Sequence, residues 1–333
     1  MKRIGFLYKD TFTLDALTIA FHAASKHKHG KRACFQFEKH LAKNLDALYA
    51  ELKHNTYKPQ PYYNFIVYEP KLRRIFAPAF RDLVVQHAIY AKIGPIFDAS
   101  FIDQSFACRV GYGTHKAAHY AQRALQLCSP NSYTLKLDIR KFFYRIDRSI
   151  LRTLIERKIK DERLINLMMV FADYGEPKGI PIGNLLSQTY ALIYLSPLDH
   201  FVKRVLKVKY YCRYVDDFIL FGLTHKLCLK YKKRIVKFLT SLKLKLSKFT
   251  IASSKRGVNF VGYRTWANKR FIRRYSLYKY RHSVKQQAIE STVSILGHAR
   301  QTHSLKYMLQ YAKEHYSAYY YKLPKIYHST YYS

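Results

Sequence analysis

The spacing of apolar and polar positions divides the chain into helical and extended stretches. Residues 11–55 carry helical spacing. In FEKHLAKNLDALYAELKHN, Phe37, Leu41, Leu45, Leu48 and Leu52 fall on one face. Two short apolar runs, NFIVY and RRIFA, predict strands joined by a basic turn, KLRR. DLVVQHAIYAKIGPIF returns to helical spacing, and Pro95 is expected to limit that helix. RVGYGTHKAAHYAQRALQ predicts a glycine-containing turn and then a helix. TLKLDIRKFF alternates as a strand and runs into a turn or helix. DRSILRTLIERKI predicts a helix capped by Asp147 or Ser149. GEPKGIPIG is a Gly/Pro loop, with a long helix, NLLSQTYALIYLSPLDHFVKRVL, behind it. KYYCRYVDDFILFGL predicts a strand pair, and THKLCLKYKKRIVKFLTSL an amphipathic basic helix. KLKLSKFTIAS and VNFVGYRTW predict further strands. Residues 266–333 hold twelve Lys/Arg, two acids (Glu290 and Glu314) and twelve Tyr. The apolar period in VSILGHARQTHSLKYMLQYA makes that segment a folded basic helical piece rather than a solvated tail.

Composition sharpens this picture. With 333 residues and 49% hydrophobic positions, the chain can bury a substantial core. It carries 59 Lys+Arg against 21 Asp+Glu, a formal charge of +38. So large an excess repels itself unless a polyanion is the usual partner, and nucleic acid is the commonest. The 31 Tyr and 21 Phe, interleaved with Lys and Arg, suit stacking on bases as well as packing in a core. The five cysteines form no CxxC pair, so no disulfide framework or zinc knuckle follows. A reducing cytosol is the expected setting. No apolar stretch has membrane-spanning length, and Lys9, Asp10 and Asp15 interrupt the N-terminus, so no signal peptide is expected.

Against that basic background, YCRYVDDFILFG at 211–222 places two adjacent acids, Asp216 and Asp217, between strand-like runs. Uncompensated carboxylates are costly to bury. Neighbouring side chains of a strand point to opposite faces, so two adjacent acids share a ligand only where the backbone turns. A tight hairpin with VDD at its tip buries the flanks and releases the acids. On its own the segment also reads as an ordinary Asp-rich turn. Asp138 ends the alternating strand TLKLD. An acid at a strand end and an acid pair at a hairpin tip can converge across adjacent strands. Such a cluster suits hard cations and in-line phosphoryl transfer.

Asp138 in LKLDIRKFF, GIPIGNLLSQ at 179–188 and YVDD at 214–217 resemble, in order and spacing, the palm motifs of reverse transcriptases. VNFVGYRT at 258–265 resembles the family's primer-grip hairpin. KLRRIFAPAFRDLVVQHAI and SFACRVGYGTHKA resemble the fingers motifs of bacterial, intron-encoded members. The resemblance spans about residues 30–330. Ile182 stands where the family usually has Gln, and Gln188 where it usually has Pro. That pattern, with the N-terminal run SKHKHGKRACFQFEKHLAKNLDALYAELK, is similar to reverse transcriptases of diversity-generating retroelements.

The resemblance implies an α+β right-hand polymerase fold. Fingers with an N-terminal extension would occupy 1–130. A palm, an antiparallel sheet with helices on one face, would occupy 131–265, with a fingers insertion near 150–178. A basic helical thumb would occupy 266–333. No maturase-like or endonuclease-like extension is expected. Asp138 and Asp216 would bridge two Mg²⁺ ions, Asp217 would support them, and the Ile139 carbonyl would complete a coordination sphere. Lys71, Arg73 and Arg74 would contact the dNTP triphosphate. Phe143 would exclude a 2′-hydroxyl by its bulk, while Phe142 or Phe143 is also a core candidate. Lys248, with Lys243 and Lys245 close by, would protonate the departing pyrophosphate. Arg109 would make a template or structural contact, and Phe260, Gly262 and Tyr263 would form the primer grip. Ile182, Gly183 and Gln188 would set template placement and fidelity; Ile182 lacks the hydrogen bond Gln offers there.

The implied activity is RNA-directed DNA synthesis, error-prone at template adenines, for mutagenic retrohoming. The implied partners are the template RNA, its cDNA and a small basic accessory variability protein, a pentamer in such systems. Two alternatives stand beside it. One is a retron-, intron- or phage-defence-type reverse transcriptase; the other is an RNA-binding scaffold with a polymerase-like fold.

Overall fold

The helical spacing of the first fifty residues resolves into α1 (Leu7–Thr11), α2 (Leu14–Ser25), α3 (Arg32–Lys39) and α4 (Leu41–Lys53). They belong to a computed structural model that describes residues 3–68 and 72–328. The face expected to run unbroken from Phe37 to Leu52 is interrupted at His40, whose φ of −126° ends α3 before α4 begins.

β1 (Tyr63–Val67) and β2 (Arg73–Ala77) form a two-stranded antiparallel ladder. Arg73 and Arg74 pair with Val67 and Ile66, so they open the strand RRIFA as expected, and the turn KLRR does not include them. Lys71 lies outside the described residues. α5 (Phe80–Asp98) passes through Pro95 instead of stopping there. The proline falls in the last turn, and Gly94 beside it presents no Cβ to crowd the ring.

After α6 (Thr114–Leu127) come β3 (Tyr133–Ile139), α7 (Phe142–Arg145), α8 (Arg148–Glu156), α9 (Glu162–Ala172) and α10 (Leu185–His200). Of the two cap candidates Asp147 is the one used: its carboxylate accepts the N–H groups of Ser149 and Ile150. The chain continues through β4 (Tyr210–Tyr214), β5 (Asp217–Leu223), α11 (His225–Ser241), β6 (Leu246–Ser253), β7 (Val258–Phe260), β8 (Tyr263–Thr265) and β9 (Arg270–Ile272). It closes with α12 (Arg274–Lys285), α13 (Ile289–Ala299), α14 (Ser304–His315) and α15 (Ser317–Tyr320).

These elements divide into two compact units. The first comprises Met1–Asp103, Ile139–Phe201 and Ile235–Ser247; the second comprises Gln104–Asp138, Val202–Arg234 and Lys248–Ser333. In the first, α2 and α5 bury Leu17, Phe21, Val84, Val85, Ile89 and Ile93. The second is built on the strand order β4-β5-β3-β6. Ile219, Phe221 and Cys212 from this sheet pack with Ala117, Ala121 and Leu125 of α6 and with Val258 and Phe260 of β7. The basic C-terminal segment of this unit folds around its own apolar cluster, which includes Tyr280, Leu296, Met308, Leu309, Tyr319 and Tyr320. No helix among the described residues is long and apolar enough to cross a membrane.

Candidate active site

Strand alternation positions the first acid. Along β3, Leu135, Leu137 and Ile139 are buried on one face, while Lys136 and Asp138 project half-exposed from the other. β5 runs antiparallel to β3 and sets Asp217 directly opposite Asp138. Opposed residues of an antiparallel pair project from the same face, so the two carboxylates meet there. β4 pairs Tyr214 with Asp217, which leaves Val215 and Asp216 alone in the turn. The expected hairpin is therefore present, with Asp217 already the first residue of β5. The turn takes Asp216 out of the strand alternation, and its charge raises the pKa of Asp217.

Val215 sits at φ +55°, an unfavourable conformation for a β-branched residue. Arg213 holds it there. Its side chain is wholly buried; Nη1 donates to the Val215 carbonyl at 2.9 Å and Nη2 to Ser105 Oγ at 3.0 Å. Its backbone is fixed too, through Arg213 N to the Gln104 carbonyl and Phe106 N to the Arg213 carbonyl, both 2.9 Å. An arginine inside the apolar run YYCRYV was the available sequence signal for this role.

Lys136 is the second residue that sequence reasoning missed, because TLKLD reads as an ordinary strand alternation. Its Nζ lies 2.7 Å from Asp217 Oδ2 and donates to the Asn259 carbonyl of β7 at 2.6 Å. Burial pushes the Asp217 carboxyl up to about 6 against the pull of the Lys136 ammonium, and Asp138 and Asp216 add to the rise. Asp217 Oδ1 is buried and has no hydrogen-bond partner. A buried unpartnered acceptor among converging carboxylates fits a hard divalent cation. Asp138, Asp216 and Asp217 are the residues that would hold it.

A pH dependence follows. Between the ordinary carboxylate pKa near 3.8 and about 6, the folded cation-free protein keeps a proton that the unfolded chain releases. Stability therefore falls as pH rises through that window, by roughly 3 kcal/mol at most, and the loss is complete above it. Cation binding requires the deprotonated carboxylate. Mg²⁺ added near pH 6 should release protons, and far fewer at pH 8. Calorimetry in buffers of different ionisation enthalpy reads this directly. Equal proton release at the two pH values would contradict the assignment.

The β7–β8 hairpin pairs Phe260 with Tyr263 around Val261 (φ +43°) and Gly262 (φ +90°). Two positive φ values match the tight turn that suits strand twist. A Cβ on Gly262 would come within 2.7 Å of His298 Nε2. The rings of Phe260 and Tyr263 are buried. Tyr263 stacks on His298 at 4.2 Å, and its hydroxyl donates to the His298 carbonyl at 2.8 Å. These two rings pack the hairpin, while Asn259 is exposed and Val261, Gly262 and Arg264 are half-exposed. Arg109 Nη1 donates to the Ser105 carbonyl at 3.1 Å, and the guanidinium lies 4.0 Å over Tyr112, a structural contact. Lys248 is exposed on β6.

In the first unit, the Gly/Pro loop joins several of the remaining residues. Ile180 N donates to the Phe143 carbonyl at 2.9 Å, and Phe76 N donates to the Ile182 carbonyl at 2.7 Å. Gly183 has φ +107°, and a Cβ there would meet Ile75 Cγ2 at 2.7 Å and the Phe76 carbonyl at 3.2 Å. Asn184 closes the loop: it caps α10 by accepting from Leu186 N and donates to Tyr62 Oη at 2.7 Å. Phe143, Ile182 and β2 are thus held in one backbone network. Phe142 is the buried core ring of its pair, and Phe143 is half-buried. Arg73 and Arg74 are exposed; Arg74 lies 5.1 Å over the Phe76 ring and 3.9 Å from Glu176. Gln188 is exposed on α10. Elsewhere, His29, Cys34 and Glu38 bring ligand-type atoms within 4.8 Å of one another, a grouping that no sequence spacing announced.

The chain is similar to Protein YkfC of Escherichia coli K12, 26% identical over 226 residues, covering 54% of this chain and 59% of that one. It is also similar to the group II intron-encoded protein LtrA of Lactococcus lactis subsp. cremoris, 31% identical over 171 residues, covering 48% and 28%. The chain thus spans well under two thirds of the length of either relative. Among solved structures, telomerase from Candida albicans in complex with a telomeric RNA fragment aligns at TM-score 0.50 and 12% identity. That alignment covers 79% of this chain and 55% of the other. Telomerase from Candida tropicalis in the corresponding complex aligns at 0.50 and 12%, covering 83% and 59%. At such identity the likeness concerns the fold, a right-hand polymerase fold of mixed helices and antiparallel sheets. Residues 58–265 match the family described as reverse transcriptase (RNA-dependent DNA polymerase). With that match covering more than half of its length, the chain belongs to the reverse transcriptase family.

Proposed function

We propose that the chain is an RNA-directed DNA polymerase of a diversity-generating retroelement. It copies a template RNA into cDNA from dNTPs, with errors at template adenines that serve mutagenic retrohoming. The observation that carries the polymerase reading is the pairing of Asp138 opposite Asp217, with Asp216 in the adjoining turn, in a chain of +38. Asp138 and Asp216 would hold two Mg²⁺ ions, the Ile139 carbonyl would complete a coordination sphere, and Asp217 would support them. When bound, the ions supply Lewis-acid stabilisation of the attacking and leaving oxygens. Arg73 and Arg74 bind the triphosphate, with Lys71 before them in the chain. Phe143 excludes the 2′-hydroxyl, and Lys248 protonates pyrophosphate. Fingers at 1–130, palm at 131–265 and thumb at 266–333 are the corresponding divisions.

Ile182 supports the retroelement reading. Its carbonyl is committed to Phe76 N, and its aliphatic side chain brings no hydrogen bond to a template base. Ile182→Gln should lower misincorporation opposite template adenines about two- to tenfold, the worth of one net hydrogen bond. Sequencing the cDNA made on a defined RNA template measures this. An unchanged adenine error rate in the variant would remove Ile182 from the account. Accurate copying by the wild type would favour the second reading, an intron- or retron-type enzyme, which the similarity to LtrA supports. The accompanying partners are the retroelement RNA and a small basic pentameric accessory protein, and the setting is the cytoplasm. Both proteins being basic, RNA bridges them, and salt weakens the assembly.

A further inference from the structure

Outside these sites, α12 and α14 flank an open groove of about 420 Å³ lined by Arg281, Tyr307, Gln310, Tyr311, Glu314 and His315. Tyr307, Tyr311 and His315 recur every four residues along α14, so they stand one above another on one helix face. Tyr307 and Tyr311 are stacked at 6.4 Å and 30°, and Tyr311 and His315 at 4.5 Å and 25°. The Arg281 guanidinium lies 5.6 Å over Tyr307 and 5.5 Å over Tyr311, and it donates to the Tyr307 hydroxyl. Gln310 Nε2 donates to Glu314 Oε1 at 2.8 Å, which adds a polar edge to the aromatic wall. Tyr307 is 42% exposed, so this ladder is not spent on core packing alone.

We infer that this ladder is a stacking site for an unpaired nucleotide of a single-stranded nucleic acid. Aromatic faces bind any base, guanidinium binds phosphate, and the Gln310–Glu314 edge offers donor and acceptor to a base edge. The surrounding segment, with twelve Lys/Arg and two acids, favours a polyanion over a peptide. The inference rests on the RNA-copying reading for the ligand's presence. Its test needs no polymerisation, so either can fail alone.

The test measures anisotropy of an unstructured 12-nucleotide RNA, the matching DNA, and an abasic sugar-phosphate oligomer of the same length, against the full chain. Tyr307→Ala and Tyr311→Ala should each weaken RNA binding at least about fivefold, as expected for one stacked base. The slope against salt should not change, and Tyr311→Trp should retain affinity. The abasic oligomer should bind all variants alike. Equal loss on RNA and DNA assigns the site to any unpaired strand; loss on RNA alone assigns it to RNA. Tyr311 also packs against the apolar cluster of its segment, whereas Tyr307 is exposed, so Tyr307→Ala keeps the test valid if Tyr311→Ala unfolds. Unchanged RNA affinity in a folded Tyr307→Ala variant, or the same loss on the abasic oligomer, would overturn the inference. So would displacement of RNA from this site by an aromatic peptide with no dependence on the bases.

Discussion

Replacing Asp216 by Ala, or Asp138 by Asn, is expected to reduce primer extension on an RNA template by at least about 10³-fold. Cation clamps contribute several kcal/mol of transition-state stabilisation, and each 1.36 kcal/mol is a factor of ten. Both substitutions take a carboxylate out of a half-exposed cluster of like charges, so the fold should survive them. Asp217→Asn should cost distinctly less. Its Oδ2 is engaged by Lys136 at 2.7 Å, which leaves Oδ1 alone for a cation, and the Asn side chain keeps an oxygen that can stand there. The ordering is the content of the prediction. Extension at fixed Mg²⁺, with circular dichroism to confirm folding, measures it. Near-normal extension by a folded Asp216→Ala protein would instead favour an RNA-binding scaffold.

The second large effect belongs to Arg213. Arg213→Met should destabilise the protein by about 2–6 kcal/mol, about 1–3 kcal/mol for each of two buried acceptors left unpaired. It leaves Ser105 Oγ and the Val215 carbonyl without the guanidinium that reaches both. Arg213→Lys should recover only part of this, because an ammonium cannot span two acceptors as a planar fork does. Denaturant midpoints at constant m-value measure the change. In a partly unfolded population, extension should fall further than the folded fraction, because Val215 loses its restraint next to Asp216. A loss under 1 kcal/mol would show that the strand pairing, and not the guanidinium, holds the turn.

Local chemistry was legible where it was local. The hairpin with VDD at its tip, the strand RRIFA and a helix cap at Asp147 or Ser149 follow from residue types within a few positions of one another. The convergence of Asp138 with the hairpin was anticipated, but its register, Asp138 opposite Asp217, is set by long-range pairing that no short window contains. Arg73 and Arg74 read both as the end of the basic turn KLRR and as the start of the strand RRIFA; ladder bonds to β1 decided for the strand. Pro95 read as a stop because a local rule takes no account of a helix with only one turn left. Phe260 and Tyr263 are expected in the primer grip, and their rings complete an apolar cluster and a histidine stack that hold the hairpin's shape. Lys136 was invisible for a simpler reason: its two partners lie 81 and 123 positions away.

That lysine also works as a gauge. One ammonium touches the carboxylate of Asp217 and, in the same geometry, the backbone oxygen of Asn259 in the β7–β8 hairpin. The spacing between acid cluster and hairpin is therefore metered by a single side chain inside one compact unit. Any displacement of one is transmitted to the other as a change in the same ion pair. A longer or shorter residue at 136 would recalibrate that spacing without touching either end.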